Sequence, residues 1–172
     1  MKEMVRYGVI LAVICIIASG LLAGMNSLTK ARIMAQAQAE EEGAVKEVMP
    51  EGERFQAQRI GDEIAYYKVY DQKDKFIGVV FKASAKGYSS VIETMVGMDR
   101  DGSITAIKVL SQNETPGLGS RVSEPEFSGQ FSRKDVAGLD KVQAITGATI
   151  SSQAVINSVR QKAQQMQRVI LE

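Results

Sequence analysis

The sequence predicts an α+β fold: a single N-terminal transmembrane helix followed by a compact domain of antiparallel strands with flanking helices. Three observations carry this. Residues 7–25 form an uncharged, largely aliphatic run, two pairs of strand-like segments are each joined by a polar turn, and an amphipathic stretch runs from Ser151 towards the C-terminus. Four strands with helices beside them make an α+β domain.

The first element is the apolar run. Its nineteen residues span roughly 28 Å at about 1.5 Å each, close to the ~30 Å of a bilayer's hydrocarbon core, so they read as a membrane helix. The competing reading is a cleaved signal peptide, whose apolar region covers only about 7–15 residues. No small-x-small site follows directly, Ala35-Gln36-Ala37 coming too late, and Cys15 sits in the middle of the run, where it makes no lipoprotein signature. Lys2 and Arg6 precede the helix and Lys30 and Arg32 follow it, so the positive-inside rule leaves the orientation tied. The expected organisation is a tail and anchor over 1–27, a helical connector over 28–50 and a domain over 51–172. The connector is rich in Ala, Glu, Gln, Lys and Met, all good helix formers, and Pro50 ends it.

The strands come next. Ala65-Tyr66-Tyr67-Lys68-Val69-Tyr70 and the segment Phe76 to Ala83 flank the polar turn Asp71 to Lys75. Glu93 to Met98 and Ile104 to Leu110 alternate apolar with polar residues around Asp99-Arg100-Asp101-Gly102, and Asp-Gly is a strong hairpin signal. About 145 residues follow the anchor, enough for one compact unit with a substantial core. A net charge of +1 on a mixed surface argues against nucleic acid as a partner. With no histidine and one cysteine, the chain has no His-dependent catalysis, no cysteine-ligated zinc, no iron–sulfur cluster and no intrachain disulfide. Any redox chemistry must therefore rest on an organic cofactor.

The last helix carries the densest chemical signal. Ala154, Val155, Val159, Ala163, Met166 and Ile170 recur at three- and four-residue steps, with Arg160, Lys162 and Arg168 mostly between them. Ahead of them stands Ala144-Ile145-Thr146-Gly147-Ala148-Thr149-Ile150-Ser151-Ser152. Ser151 or Ser152 suits an N-cap, and an anion just before the helix would meet unpartnered N–H groups and the positive end of the dipole. Thr149 sits at that spot, and Gly147 and Ala148 leave room for a large planar group to approach the backbone. A Ser/Thr-rich helix cap has the same composition, and spacing alone does not separate the two readings.

Thr146-Gly147-Ala148-Thr149 followed by Ile150-Ser151-Ser152 resembles the flavinylation motif of FMN-binding domains in bacterial membrane redox complexes. The resemblance implies that Thr149 carries FMN through a phosphoester installed by a separate flavin transferase, with Thr146, Gly147, Ala148 and Ser151 beside it. Glu114-Thr115-Pro116-Gly117-Leu118-Gly119 resembles that family's loop of the same wording, and Gly87-Tyr88 resembles its Gly-Tyr turn. Thr115, Gly117, Leu118 and Gly119 are thereby expected to border the flavin. Read from the residues alone, Pro116-Gly117 is a structural turn, Glu114 is either solvated or sets the loop through local hydrogen bonds, and Tyr88 stays open. Phe127 and Phe131, four residues apart, read as core anchors before flavin stackers. Family members often carry an Asp a few residues before the motif; here Gln143 lies three residues before Thr146 and Asp140 six.

The resemblance covers nearly the whole chain and is nearest to G subunits of Rnf complexes, the ion-translocating ferredoxin:NAD oxidoreductases. The related C subunits of sodium-pumping NADH:quinone oxidoreductases are typically longer. It implies a cytoplasmic N-terminal tail, a flavin domain on the outer face of the cytoplasmic membrane, and partners among the other membrane subunits of the complex. The subunit alone is not expected to catalyse the overall reaction, and no intramembrane charge marks an ion path. Two other readings remain: a flavoprotein of another membrane respiratory pathway, and a tethered assembly module without flavin, in which the loop at Glu114 to Gly119 is a partner surface.

Overall fold

The computed structural model describes residues 2–60 and 63–171. Helix α1 (Lys2–Val48) runs without a break through the apolar segment and the connector, and it is long and apolar enough to cross a membrane. Its end agrees with Pro50, because the residue before a proline is driven out of the helical region. The chain forms two compact units, Met1–Glu40 and Glu41–Glu172. In the first, the large apolar side chains stand exposed.

The second unit is built on a five-stranded antiparallel meander: β1 (Arg54–Ile60), β2 (Glu63–Tyr70), β3 (Phe76–Lys86), β4 (Val91–Asp99) and β5 (Ile104–Ser111), in the order β1-β2-β3-β4-β5. Strands β2 to β5 are the four expected. β1 is an addition. It pairs only with β2, from Arg54↔Tyr70 to Ile60↔Glu63, and a bulge falls between Gln58 and Arg59. Such an edge strand needs few apolar residues, so its alternation is too thin to read.

The sheet buries both faces. On one, Val79, Phe81 and Ala83 of β3 and Ile92, Val96 and Met98 of β4 pack under the last helix, α3 (Thr149–Leu171), through Val155, Val159 and Ala163. On the other, Val69, Val80 and Met95 meet Ala44, Val45 and Val48 from the end of α1 and Met49 just after it. Alternation from Val79 to Ala83 divides the side chains of β3 between the two cores. In β5 the parity switches, because Gly97 pairs with Ala106 but Met98 pairs with Ile104, leaving Thr105 as the extra residue of a bulge. That residue closes the end of α1: its Oγ1 donates to the Val48 carbonyl at 2.5 Å. Gly97 lies beneath, and a Cβ there would strike both Thr105 Oγ1 and the Val48 carbonyl oxygen.

After β5 the chain makes short turns and the one-turn helix α2 (Pro125–Ser128). Phe127 and Phe131 are 1% and 0% exposed and pack edge to face at 5.5 Å between ring centroids, which settles them as core anchors. α3 begins at Thr149, two residues before the expected start, so neither Ser151 nor Ser152 is its N-cap. The turn that feeds it is made by backbone: Ala148 N–H donates to Ile145 O at 2.9 Å, with Gly147 at φ +81°. Ser152 reinforces that turn from inside the helix, its Oγ accepting from Ile145 N–H at 3.0 Å and donating to Ala148 O at 2.9 Å.

Candidate functional site

Three segments distant in sequence meet at the end of the sheet where β3 stops, β4 starts and β5 stops. The first is the turn over 87–90, closed by Gly87 N–H to Ser90 O at 2.8 Å. The second is the loop after β5, in which Thr115 O accepts from Leu118 and Ser120 N–H at 3.1 and 3.2 Å and Gly117 adopts φ +74°. The third is the start of α3.

A single side chain ties them together. Glu114 is 6% exposed. Its Oε1 accepts from Ser89 and Ser90 N–H at 3.0 and 2.9 Å and from Ser90 Oγ at 3.3 Å. Its Oε2 accepts from Tyr88 N–H at 3.2 Å and from Ser151 Oγ at 2.6 Å. A Cβ on Gly87 would meet Oε1 at 2.7 Å and one on Gly119 would meet Oε2 at 2.8 Å, so two glycines form the slot that the carboxylate fills. Burial by itself would raise this carboxyl's pKa; the bonds from Ser151 and from the Ser90, Ser89 and Tyr88 amides outweigh it and hold the pKa below its ordinary value. Both sequence readings of Glu114, solvated or locally bonded, are therefore replaced by a buried carboxylate acting across 24 to 37 residues of chain. No spacing rule announces such partners.

Beside Glu114 opens a cleft of about 540 Å³, lined by Tyr88, Glu114, Thr115, Leu118, Gly119, Gly147, Ala148, Thr149, Ile150 and Ser151. Of the residues singled out in the sequence, Thr115, Leu118, Gly119, Gly147, Ala148, Thr149 and Ser151 share this lining. Thr146 and Gly117 do not: Thr146 is exposed one residue outside it, and Gly117 is at the open tip of its loop, with nothing within 4 Å of a Cβ. Tyr88, Glu114 and Ile150 are additions. Among the described residues of the sheet unit, the large exposed apolar side chains are Tyr88, Val91, Leu118 and Ile150, and three of these line the cleft. Asp140 lies apart, in a hollow with Arg160, Gln164 and Gln167, its carboxylate paired to Arg160 at 2.6 Å. Gln143 is held through its backbone by the Gln130 amide, which accepts from its N–H at 2.8 Å and donates to its carbonyl at 3.3 Å.

The cleft and the open start of α3 define a cofactor-binding domain, and residues 87–164 match the FMN-binding domain family. Residues 1–48 match the RnfG N-terminal region. The G subunit of the ion-translocating oxidoreductase complex of Methanosarcina acetivorans is 33% identical over 172 residues, 92% of each chain. Its counterpart in the Na(+)-translocating ferredoxin:NAD(+) oxidoreductase complex of Acetobacterium woodii is 29% identical over 194 residues, 98% of this chain and 94% of that one. NqrC from Shewanella oneidensis, known from its crystal structure, superposes with a TM-score of 0.49 and 24% identity over 60% of each chain. The chain belongs to the family of G subunits of ion-translocating oxidoreductase complexes. It is an electron-transport subunit with an FMN-binding domain.

The residues present fit a phosphate-linked flavin. Thr149 is exposed at the first residue of α3, where first-turn N–H groups have no intrahelical partner and favour an anion. The cleft beside it falls within the roughly 300–1,000 Å³ typical of cofactor sites, and Leu118, Ile150 and Tyr88 offer apolar surface to a planar ring.

Proposed function

We propose that this chain relays electrons inside an Rnf complex through FMN joined by a phosphoester to Thr149 Oγ. The observation that carries the reading is the placement of an exposed threonine at the open start of a helix, on the wall of a cleft it shares with the Glu114 to Gly119 loop. Thr149 is an attachment point that does not react during turnover. The first-turn amides of α3 stabilise the phosphodiester charge. Gly147 and Ala148 keep the approach to that turn free of side-chain bulk, Ser151 is spent on Glu114, and Thr115, Leu118 and Gly119 border the ring. When bound, FMN accepts and passes on single electrons.

Covalent attachment keeps the cofactor from diffusing away on the outer face of the cytoplasmic membrane, where the domain over 51–172 is placed by this reading. Residues 7–25 anchor it in a single pass with the N-terminus in the cytoplasm, among the other membrane subunits that supply and take its electrons. A flavin transferase matures it. The reading is tested by the intact mass of the full chain produced with an active transferase, alongside ultraviolet fluorescence after denaturation. It expects a mass raised by FMN less one water and a fluorescent band. An unmodified mass, with a control substrate modified by the same transferase, would reduce Thr149 to a helix-start residue and favour the assembly-module reading.

A further inference from the structure

Glu114 has a property that its bonding role alone does not require. All five of its donors are neutral: three backbone amides and two hydroxyls. Among the described residues, the ion pairs join Arg54 to Asp74, Lys82 to Glu41, Lys108 to Glu47, Arg121 to Glu124 and Arg160 to Asp140, and none involves Glu114. A carboxylate paired with a cation presents little net field to its surroundings. One held by dipoles keeps its full negative charge, and a poorly solvated setting lets that charge act over a longer range. This one lies in the lining of the cleft. Glycines at 87 and 119 leave it a slot that any other residue would obstruct.

We infer that Glu114 is the positioning residue of the cleft and also the fixed negative charge that lowers the reduction potential of the flavin carried on Thr149. The inference rests on the flavin reading above. As a positioning group the carboxylate locks the Tyr88 turn, its own loop and the first turn of α3 into one wall. As a charge it opposes the arrival of an electron on the ring, which makes the reduced cofactor a stronger donor. Uncompensated burial is costly to arrange, and neutral donors keep the carboxylate ionised without adding an opposite net charge. Its pKa is held below the ordinary carboxylate value, so the group is ionised near neutral pH.

The test has two arms, both on the full chain in detergent. In the first, the flavin-free Thr149→Ala protein is titrated with acid while the Tyr88, Ser89 and Ser90 amide resonances are followed. They should shift together with one midpoint in the acid range, and the added substitution Glu114→Gln should abolish the transition. Amides that do not respond to acid would overturn the positioning role. In the second arm, the midpoint potential of the attached flavin is compared between the wild type and Glu114→Gln. The amide keeps an acceptor for Ser89 and Ser90 and can donate to Ser151 Oγ, giving up only the Tyr88 N–H bond, the longest of the three backbone ones, so most of the wall's bonding stays while the charge is gone. The potential should move to a more positive value in the variant, and Glu114→Asp should stay nearer the wild type. Equal potentials would overturn the electrostatic role. A wild-type chain that takes no flavin would sink the reading under Proposed function, while the amide titration still judges the positioning role. Should Glu114→Gln fail to fold, Ser151→Ala replaces it: losing one donor should raise the acid midpoint of the amides, and an unmoved midpoint would contradict the inference.

Discussion

The C-terminus of α1 and the N-terminus of α3 sit on opposite faces of one sheet and are finished in opposite ways. At the end of α1 the Val48 carbonyl takes a hydrogen bond from Thr105 Oγ1, and a bare backbone at Gly97 lets the helix settle onto β4. Lys108 forms an ion pair with Glu47 beside it. At the start of α3 the preceding residue, Ala148, has no side-chain acceptor to offer, and the two serines of the first turn are bonded elsewhere. A helix end whose polar groups are satisfied by its own chain is a joint. One whose amides are left open beside a cleft is a site for an anion.

The difference can be broken most completely at the open end. Thr149→Ala should abolish covalent flavin while shifting thermal stability by no more than about 0.5 kcal/mol, as for an exposed surface position; intact mass and a melting curve read the two effects side by side. At the closed end the effect should be structural. Gly97→Val drives a side chain into Thr105 and the backbone of Val48, and overpacking of that kind costs about 1–3 kcal/mol. Denaturant unfolding should show the loss, with covalent flavin still formed on whatever folds.

A smaller, pH-gated effect belongs to Glu114. Its folded pKa is depressed, so its contribution to stability is complete above the pKa of the unfolded chain and fades as pH falls through the lower folded value. Melting temperatures of the wild type and Glu114→Gln should therefore differ by a constant amount near neutrality and converge in acid; a gap that widened in acid would contradict the sign. Smallest of all, Lys108→Ala removes a side chain that is 41% exposed from its partner Glu47, itself 60% exposed. Screening holds such a pair to under about 1 kcal/mol, to be checked by the salt dependence of unfolding.

What could be read in advance follows from how local each signal is. The β4–β5 hairpin was legible because its turn is self-contained: Asp99 Oδ1 accepts from Asp101 and Ser103 N–H at 2.9 Å each, and Gly102 takes φ +85°. α3 was legible through its period, but its first residue was not, since a backbone turn at Gly147 starts the helix before the serines are reached. The final turns of α1 read as connector, yet Ala44, Val45 and Val48 are core, because burial there depends on a sheet that the helix's own sequence does not mention. In the cleft, the threonine motif and the Pro-Gly loop stood out by composition. Glu114, Tyr88 and Ile150 lay within segments marked by the resemblance, but their place in the cleft lining comes only from the fold.

The most direct test of the central claim is tandem mass spectrometry of the tryptic peptide spanning 142–160 from the full chain made with an active flavin transferase. That peptide holds Thr146, Thr149, Ser151, Ser152 and Ser158. The expected result is FMN less one water on Thr149 alone, with the other four hydroxyls unmodified. Flavin on Thr146 or on any of the serines, or an unmodified peptide from a preparation whose transferase labels a control, would contradict the assignment of the open helix end as the cofactor's anchor.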